Sequence, residues 1–266
     1  MLISVSYSLY GKNNIYYLPL REQLEVFNLW KSEERYKEFN FEIVVFADES
    51  VDKTFFRDLQ LKVHSINDFP ELLEVPPKMW RYYNVFKNKA EVYLFRDSDS
   101  LITVREIEFI KIWLESDYWV NVIRDSRLHL FPIMAGTFGV RKEGVSMLRE
   151  ILNSADNMYS RNSHFYDQIY LAEFVYPRFK RELLVFTNFL CFKGENYIKT
   201  DYRNKNFIGG YSKNNFLKAH WHDNQFVTLP SPKVLKLFNY STRLMLFFIS
   251  CLIILNSINK FVSGNK

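Results

Sequence analysis

The sequence predicts an α/β domain built on a mostly parallel β-sheet. Short apolar runs of strand length alternate with amphipathic stretches of helix length, the pattern of successive βα units. The run "FEIVVFA" is apolar without alternation, as expected of a strand buried on both faces. Composition agrees: 48% hydrophobic and 18% aromatic residues over 266 positions are enough for a sizeable core and exclude a disordered chain. With only 8 Gly and 8 Pro, a collagen-like or linker-rich chain is excluded too.

Residues 2 to 7 alternate apolar and polar and run into the loop "SLYGKNN", a first strand. Residues 19 to 38 carry Leu20, Leu24, Phe27 and Leu29 near helical spacing behind Pro19, a helix. "FEIVVFADES" is the next strand, closed by Asp48, and residues 61 to 66 form a short one. After "VPPK", "MWRYYNVFKN" reads as a short helix and "EVYLFRDSDS" as a strand. "VREIEFIKIWLESD" is an amphipathic helix with Ile107, Ile110, Ile112 and Leu114 on or near one face. "YWVNVIRDS" is a strand, "FPIMAGTFGVRK" a glycine-containing loop or strand edge, and residues 144–154 and 164–174 are helical. Between 183 and 229 the pattern supports no clear division, although "FLCFKGE" around Cys191 reads as a buried strand.

The tail changes character. Leu244 to Leu255 is apolar but for Ser250, short for a span, which needs about 20 residues. With Lys233, Lys236 and Arg243 before it and Lys260 after it, it reads as a C-terminal apolar helix lying in or on a membrane surface. A buried core helix is one alternative and a bilayer span, least favoured by its length, the other. The chain therefore divides into a domain over 1–230 and a basic, apolar segment over 231–266. Cys191 and Cys251 sit in unrelated settings, which excludes a disulfide framework and implies a reducing compartment. No secretory signal pattern opens the sequence, so the expected location is the cytoplasmic face of the membrane. A net charge of +5 suits attraction to phosphate or to anionic lipid.

The chemistry centres on "RDSDS". On an extended segment residues i and i+2 point the same way, so Asp97 and Asp99 converge on one small volume. Two anions so close repel unless a cation lies between them, and hard divalent ions take carboxylate oxygens while leaving positions for water or phosphate. A metal there could bridge a diphosphate and stabilise it as a leaving group; an ordinary solvated turn is the other reading. A strand closed by D-x-D also resembles the nucleophile strand of haloacid-dehalogenase-type phosphatases, but about ninety residues precede it here and no later acidic pair follows.

Several motifs in order carry a fuller resemblance: "SYSLYG" at 6–11, "MWRYY" at 79–83, "FRDSDSLITVRE" at 95–106, "WLESDYWVNVIRD" at 113–125, "HLFPIMAGTFGVRK" at 129–142, "YDQIYLAEFVYP" at 166–177 and "FIGG" at 207–210. The chain resembles bacterial and viral glycosyltransferase-like proteins with the nucleotide-diphospho-sugar (GT-A) fold over residues 1 to 210. Leu101 stands where the family has an arginine, and "RDSR" replaces its Arg-Asp-His-Pro pattern.

The resemblance implies transfer of a sugar from a nucleotide-diphosphate donor, a UDP-sugar in the first instance, to a glycan or lipid-linked acceptor. Asp97 and Asp99 would hold Mn²⁺ or Mg²⁺, with His220 of "HWHD" completing the shell. Ser6, Tyr7 and Ser8, helped by Asp48, would hold base and ribose. Arg81 and Arg96 would reach the diphosphate or an aspartate of the motif. Asp167 and Asp125 are the acceptor-side carboxylates, and the glycines of "MAGTFG" would let backbone approach a sugar. Two rivals stand beside this: a non-catalytic nucleotide-sugar or glycan-binding module of the same fold, and a nucleic-acid binder. The second lacks any Lys/Arg-rich cluster or nucleic-acid motif.

Overall fold

The computed structural model describes residues 1–12, 16, 18–57, 59, 61–126, 129–154, 166–188, 190–200 and 208–209. His220, residues 231–266 and the ends of "FIGG" lie outside the described residues. Eight strands form one sheet: β1 (Leu2–Leu9), β2 (Asn40–Ala47), β3 (Lys62–Ser65), β4 (Val92–Arg96), β5 (Val120–Arg124), β6 (Thr137–Arg141), β7 (Leu183–Thr187) and β8 (Asn196–Lys199). Their order is β3-β2-β1-β4-β6-β5-β7-β8. Neighbours are parallel except β6, which runs antiparallel to both β4 and β5. The mostly parallel α/β sheet is the one expected from the sequence.

Seven α-helices accompany it among the described residues: α1 (Leu18–Ser32), α2 (Pro70–Leu73), α3 (Asn84–Lys87), α4 (Val104–Leu114), α5 (Lys142–Ser154), α6 (Tyr166–Tyr170) and α7 (Tyr176–Phe179). None of the described helices is long and apolar enough to cross a membrane. Alternation along β4 sorts the two layers. Tyr93 and Phe95 pack with Tyr82 and Phe138, the Phe95 and Phe138 rings 4.8 Å apart. Val92 and Leu94 pack with Ile107, Ile110 and Trp113 of α4. The same alternation sends Arg96 toward α4 and Asp97 away from it.

Several expectations need correction. The first helix stops at Ser32, and Glu34–Tyr36 is a separate 3-10 turn. "MWRYYNVFKN" is a 3-10 segment, Pro77–Tyr83, followed by the single turn of α3. On α4 the buried residues are Glu106, Ile107, Ile110 and Trp113, while Ile112 is 41% exposed; five residues beyond Ile107, it has rotated off the core face. "FPIMAGTFGVRK" is more than a loop or strand edge: its residues Thr137–Arg141 form a full strand, β6, inside the sheet between β4 and β5. Cys191 is in the connection between β7 and β8, half-buried and outside any strand.

After β1 the chain builds β2 and β3 on one side, then returns to lay β4 on the other side of β1. That reversal opens a crevice beyond the carboxyl ends of β1 and β4, where open α/β sheets collect their ligands.

Candidate active site

The 3-10 segment Pro77–Tyr83 is fastened at this crevice by two serines of β1. Ser6 Oγ donates to the carbonyl of Arg81 at 2.9 Å, and the Arg81 amide donates to Ser8 Oγ at 3.0 Å. This fixes the arginine whose side chain organises the site. Arg81 Nη1 donates to the carbonyl of Arg96 (2.9 Å) and to Asp97 Oδ1 (2.5 Å), and Nη2 donates to Asp167 Oδ2 (2.8 Å). One guanidinium thus holds two carboxylates brought from residues far apart in sequence, using its planar fork.

The two carboxylates differ in surroundings. Asp167, at the start of α6, has a side chain only 7% exposed, whereas that of Asp97 is 51% exposed. Burial pushes the Asp167 pKa up, and Asp97 adds to this, while Arg81 pulls it down without cancelling the rise. For Asp97 desolvation also pushes upward, but the charge and hydrogen bond of Arg81, with Arg96 and Lys78 behind them, outweigh it and hold the carboxyl below its ordinary value. Lys78 sits three residues before Arg81 on the 3-10 turn, a spacing that places both on one face. Tyr10, 37% exposed and edge-on to Trp80, has its pKa pushed up to about 12, chiefly by burial. The charges of Arg81, Asp167 and Asp97 all reach it, so it borders the site. Neither Lys78 nor Tyr10 was among the expected site residues, although "SYSLYG" contains Tyr10.

Other expected residues are placed differently. Arg96 does not face the crevice. It is 1% exposed and donates to Glu106 Oε1 (2.9 Å), Gly136 O (2.9 Å), Leu101 O (3.1 Å) and Ser100 Oγ (3.2 Å), so it braces the D-x-D turn from behind. Burial lifts the Glu106 pKa to about 7 against the pull of Arg96. Tyr7 continues the inward stripe of Ile3 and Val5 and is 1% exposed, so its ring has no face to offer a base. Ser6 is fully buried and, like Ser8, is engaged with the Arg81 backbone. Asp48 accepts from the amide and the hydroxyl of Ser50, closing the turn after β2 at the same edge of the sheet.

Asp125 is not available to an acceptor. Its side chain is completely buried, accepts the Ile208 amide on both oxygens (3.1 and 3.2 Å) and pairs with Arg105. Gly209, at φ +83°, passes so close to Thr137 that a Cβ there would meet Thr137 Cγ2 at 2.8 Å. Asp125 therefore anchors this turn over the end of β5.

Among the described residues no group of three or more His, Cys, Asp or Glu side chains is gathered to hold a metal. The two aspartates do not lie on an extended segment as the sequence suggests: Ser98 and Asp99 form a turn beyond β4, with the Ser100 amide donating to Asp97 O at 3.4 Å. Asp97, half-exposed with one oxygen on Arg81, and Asp99, partly exposed, still offer hard carboxylate oxygens. Such a pair fits a divalent ion whose other positions are filled by water or phosphate oxygens.

No protein-family profile and no curated protein matches the chain. Among solved structures, it is similar to a glycosyltransferase involved in the glycosylation of the major capsid of PBCV-1, at 16% identity and TM-score 0.45, over 71% of this chain and 83% of that one. It is similar to glucosyl-3-phosphoglycerate synthase from Mycobacterium tuberculosis in complex with Mn²⁺ and UDP-Glc, at 10% identity and TM-score 0.46, over 77% and 72%. It is similar as well to S. aureus TarS 1-349, at 19% identity and TM-score 0.41 over 64% of this chain, where it spans about half the length, 54%.

Proposed function

We propose that this chain is a metal-dependent glycosyltransferase of the GT-A type. It would move a sugar from a nucleotide-diphosphate donor, UDP-linked in the first instance, to a glycan or lipid-linked acceptor in surface polysaccharide synthesis. The observation that carries the reading is Arg81 joining Asp97 and Asp167 at the crevice between β1 and β4. That is where a diphosphate would be received, and Arg81, Asp97 and Asp167, from three of the resembling motifs, meet there.

Asp97 and Asp99 would hold Mn²⁺ or Mg²⁺, which when bound supplies Lewis-acid stabilisation of the departing diphosphate. Arg81 keeps Asp97 ionised and fixed in direction, so the carboxylate is ready at neutral pH. Asp167 acts through Arg81: its buried carboxylate anchors the far end of the guanidinium. Tyr10 is the exposed aromatic beside the end of β1 that could receive a base. In the same reading segment 231–266 holds the domain against a membrane that carries the acceptor, and flotation of the full chain with anionic vesicles tests that part.

The donor reading is tested with a panel of nucleotide-sugars, measuring binding and slow hydrolysis with and without Mn²⁺, on the wild type and Asp99→Ala. Metal-dependent binding or turnover of one sugar, lost in Asp99→Ala, is expected. Absence of binding to every nucleotide-sugar with either metal would reject the reading.

A further inference from the structure

We infer that Gly136 is a positioning residue for Asp97: its missing side chain is the cradle that lets the carboxylate meet Arg81 at the open edge. The inference rests on the donor-site reading and adds a residue on another strand to it. In the antiparallel ladder Arg96 of β4 stands opposite Thr137 of β6, so the next step outward sets Asp97 against Gly136. Side chains of directly opposed residues share one face and touch. Here one of them is absent, and the other turns into the vacated space. A Cβ built on Gly136 would lie 2.1 Å from Asp97 Oδ2 and 2.6 Å from its carboxyl carbon, far inside contact distance.

The backbone cannot easily yield instead. Arg96, fully buried and tied to Glu106, donates to the carbonyl of Gly136 at 2.9 Å, and the Thr137 amide donates to Met134 O at 3.1 Å. The strain of any added side chain therefore falls on Asp97, whose half-exposed carboxylate is free to swing into water and off Arg81. Asp97 would then keep its charge and lose its direction. A glycine in "MAGTFG" would serve the acidic motif, not a direct approach of backbone to sugar.

The test is Gly136→Ala, alone and combined with Asp97→Ala. Mn²⁺-dependent binding of the nucleotide-sugar is titrated, and thermal stability is measured without ligand. Displacing a group that orients a metal ligand typically weakens binding about 10- to 100-fold, and a loss of that size is expected for Gly136→Ala. The methyl should lower the melting temperature of the wild type and do so much less in the Asp97→Ala background, where its obstacle is gone. Gly136→Ala failing to fold while the double variant folds would also support the contact. Wild-type affinity in Gly136→Ala, or an equal stability loss in both backgrounds, overturns the inference and leaves the donor site standing. A wild type that binds no nucleotide-sugar with metal overturns both.

Discussion

The tripeptide Arg-Asp-Ser ends two strands of the sheet, as Arg96-Asp97-Ser98 after β4 and Arg124-Asp125-Ser126 after β5. In both places the arginine turns inward to a glutamate: Arg96 pairs with Glu106 at 2.9 Å, and Arg124 with Glu195 at 2.5 Å. The aspartates then part company. That of β4 is 51% exposed and shares a cation with Asp167, while that of β5 is fully buried beneath the Ile208–Gly209 turn. The residues are the same, and what covers the strand end decides whether the carboxylate can serve a ligand. At β5 a backbone amide and Arg105 occupy it. At β4 a glycine opposite leaves room, and Arg81 holds one oxygen while the carboxylate still meets water.

The largest effect should come from breaking the sealed pair. Arg124→Met would leave Glu195 buried without its cation, a loss of about 3–5 kcal/mol in urea unfolding. Adding Glu195→Gln should return much of it, since the uncompensated charge goes. If Arg124→Met cost less than about 1 kcal/mol, the value of an exposed ion pair, burial would not be what separates the two strand ends.

Next come the aspartates themselves. Asp125→Asn keeps the shape but replaces one of the two oxygens that accept from Arg105 and the Ile208 amide with a donor, and should cost about 1–3 kcal/mol of stability through the buried donors left unpaired. Donor binding should be retained. Asp97→Asn, half in water, should cost under about 1 kcal/mol. It should nevertheless abolish metal-dependent binding of the nucleotide-sugar. Calorimetry and urea unfolding on both variants give the comparison its sharpest form, because the two readouts should change places.

Much of this is legible in the amino-acid sequence. The apolar runs announce β2 and β4, and the strand leading into "DSDS" places two carboxylates at a carboxyl edge. Simple alternation corrects two assignments: Tyr7 follows Ile3 and Val5 inward, and Arg96 follows Val92 and Leu94 toward α4. β6 is hidden because Gly136 before it, Gly139 within it and Thr137 look like a loop, and nothing local marks an antiparallel strand inserted among parallel ones. The union of Arg81 with Asp167 is beyond reach, since 86 residues separate them and only the folded sheet makes them neighbours. Nor does the pattern distinguish the two Arg-Asp-Ser ends, because the cover over Asp125 comes from residue 208, 83 positions later.

The smallest effect, and the most discriminating in sign, is the pH dependence of stability. Asp97 has a folded pKa below its ordinary value, because Arg81 outweighs desolvation. The unfolded chain therefore takes up its proton first as pH falls, and the stability Asp97 contributes is present above about pH 4 and lost on further acidification. Asp125 has a folded pKa above its ordinary value, because burial outweighs the Ile208 amide and Arg105. There the folded state takes up the proton first, so its contribution becomes more favourable as pH falls from above its raised pKa toward about 4. Urea midpoints for the wild type, Asp97→Asn and Asp125→Asn between about pH 3 and 7, a range that brackets the ordinary carboxylate pKa, would show this directly. The difference between wild type and Asp97→Asn should shrink at the acid end. The difference between wild type and Asp125→Asn should instead move in the wild type's favour as pH falls toward about 4. Two aspartates in the same tripeptide would then titrate with opposite consequences for the fold, and slopes of the same sign would show that the open and covered strand ends are electrostatically alike.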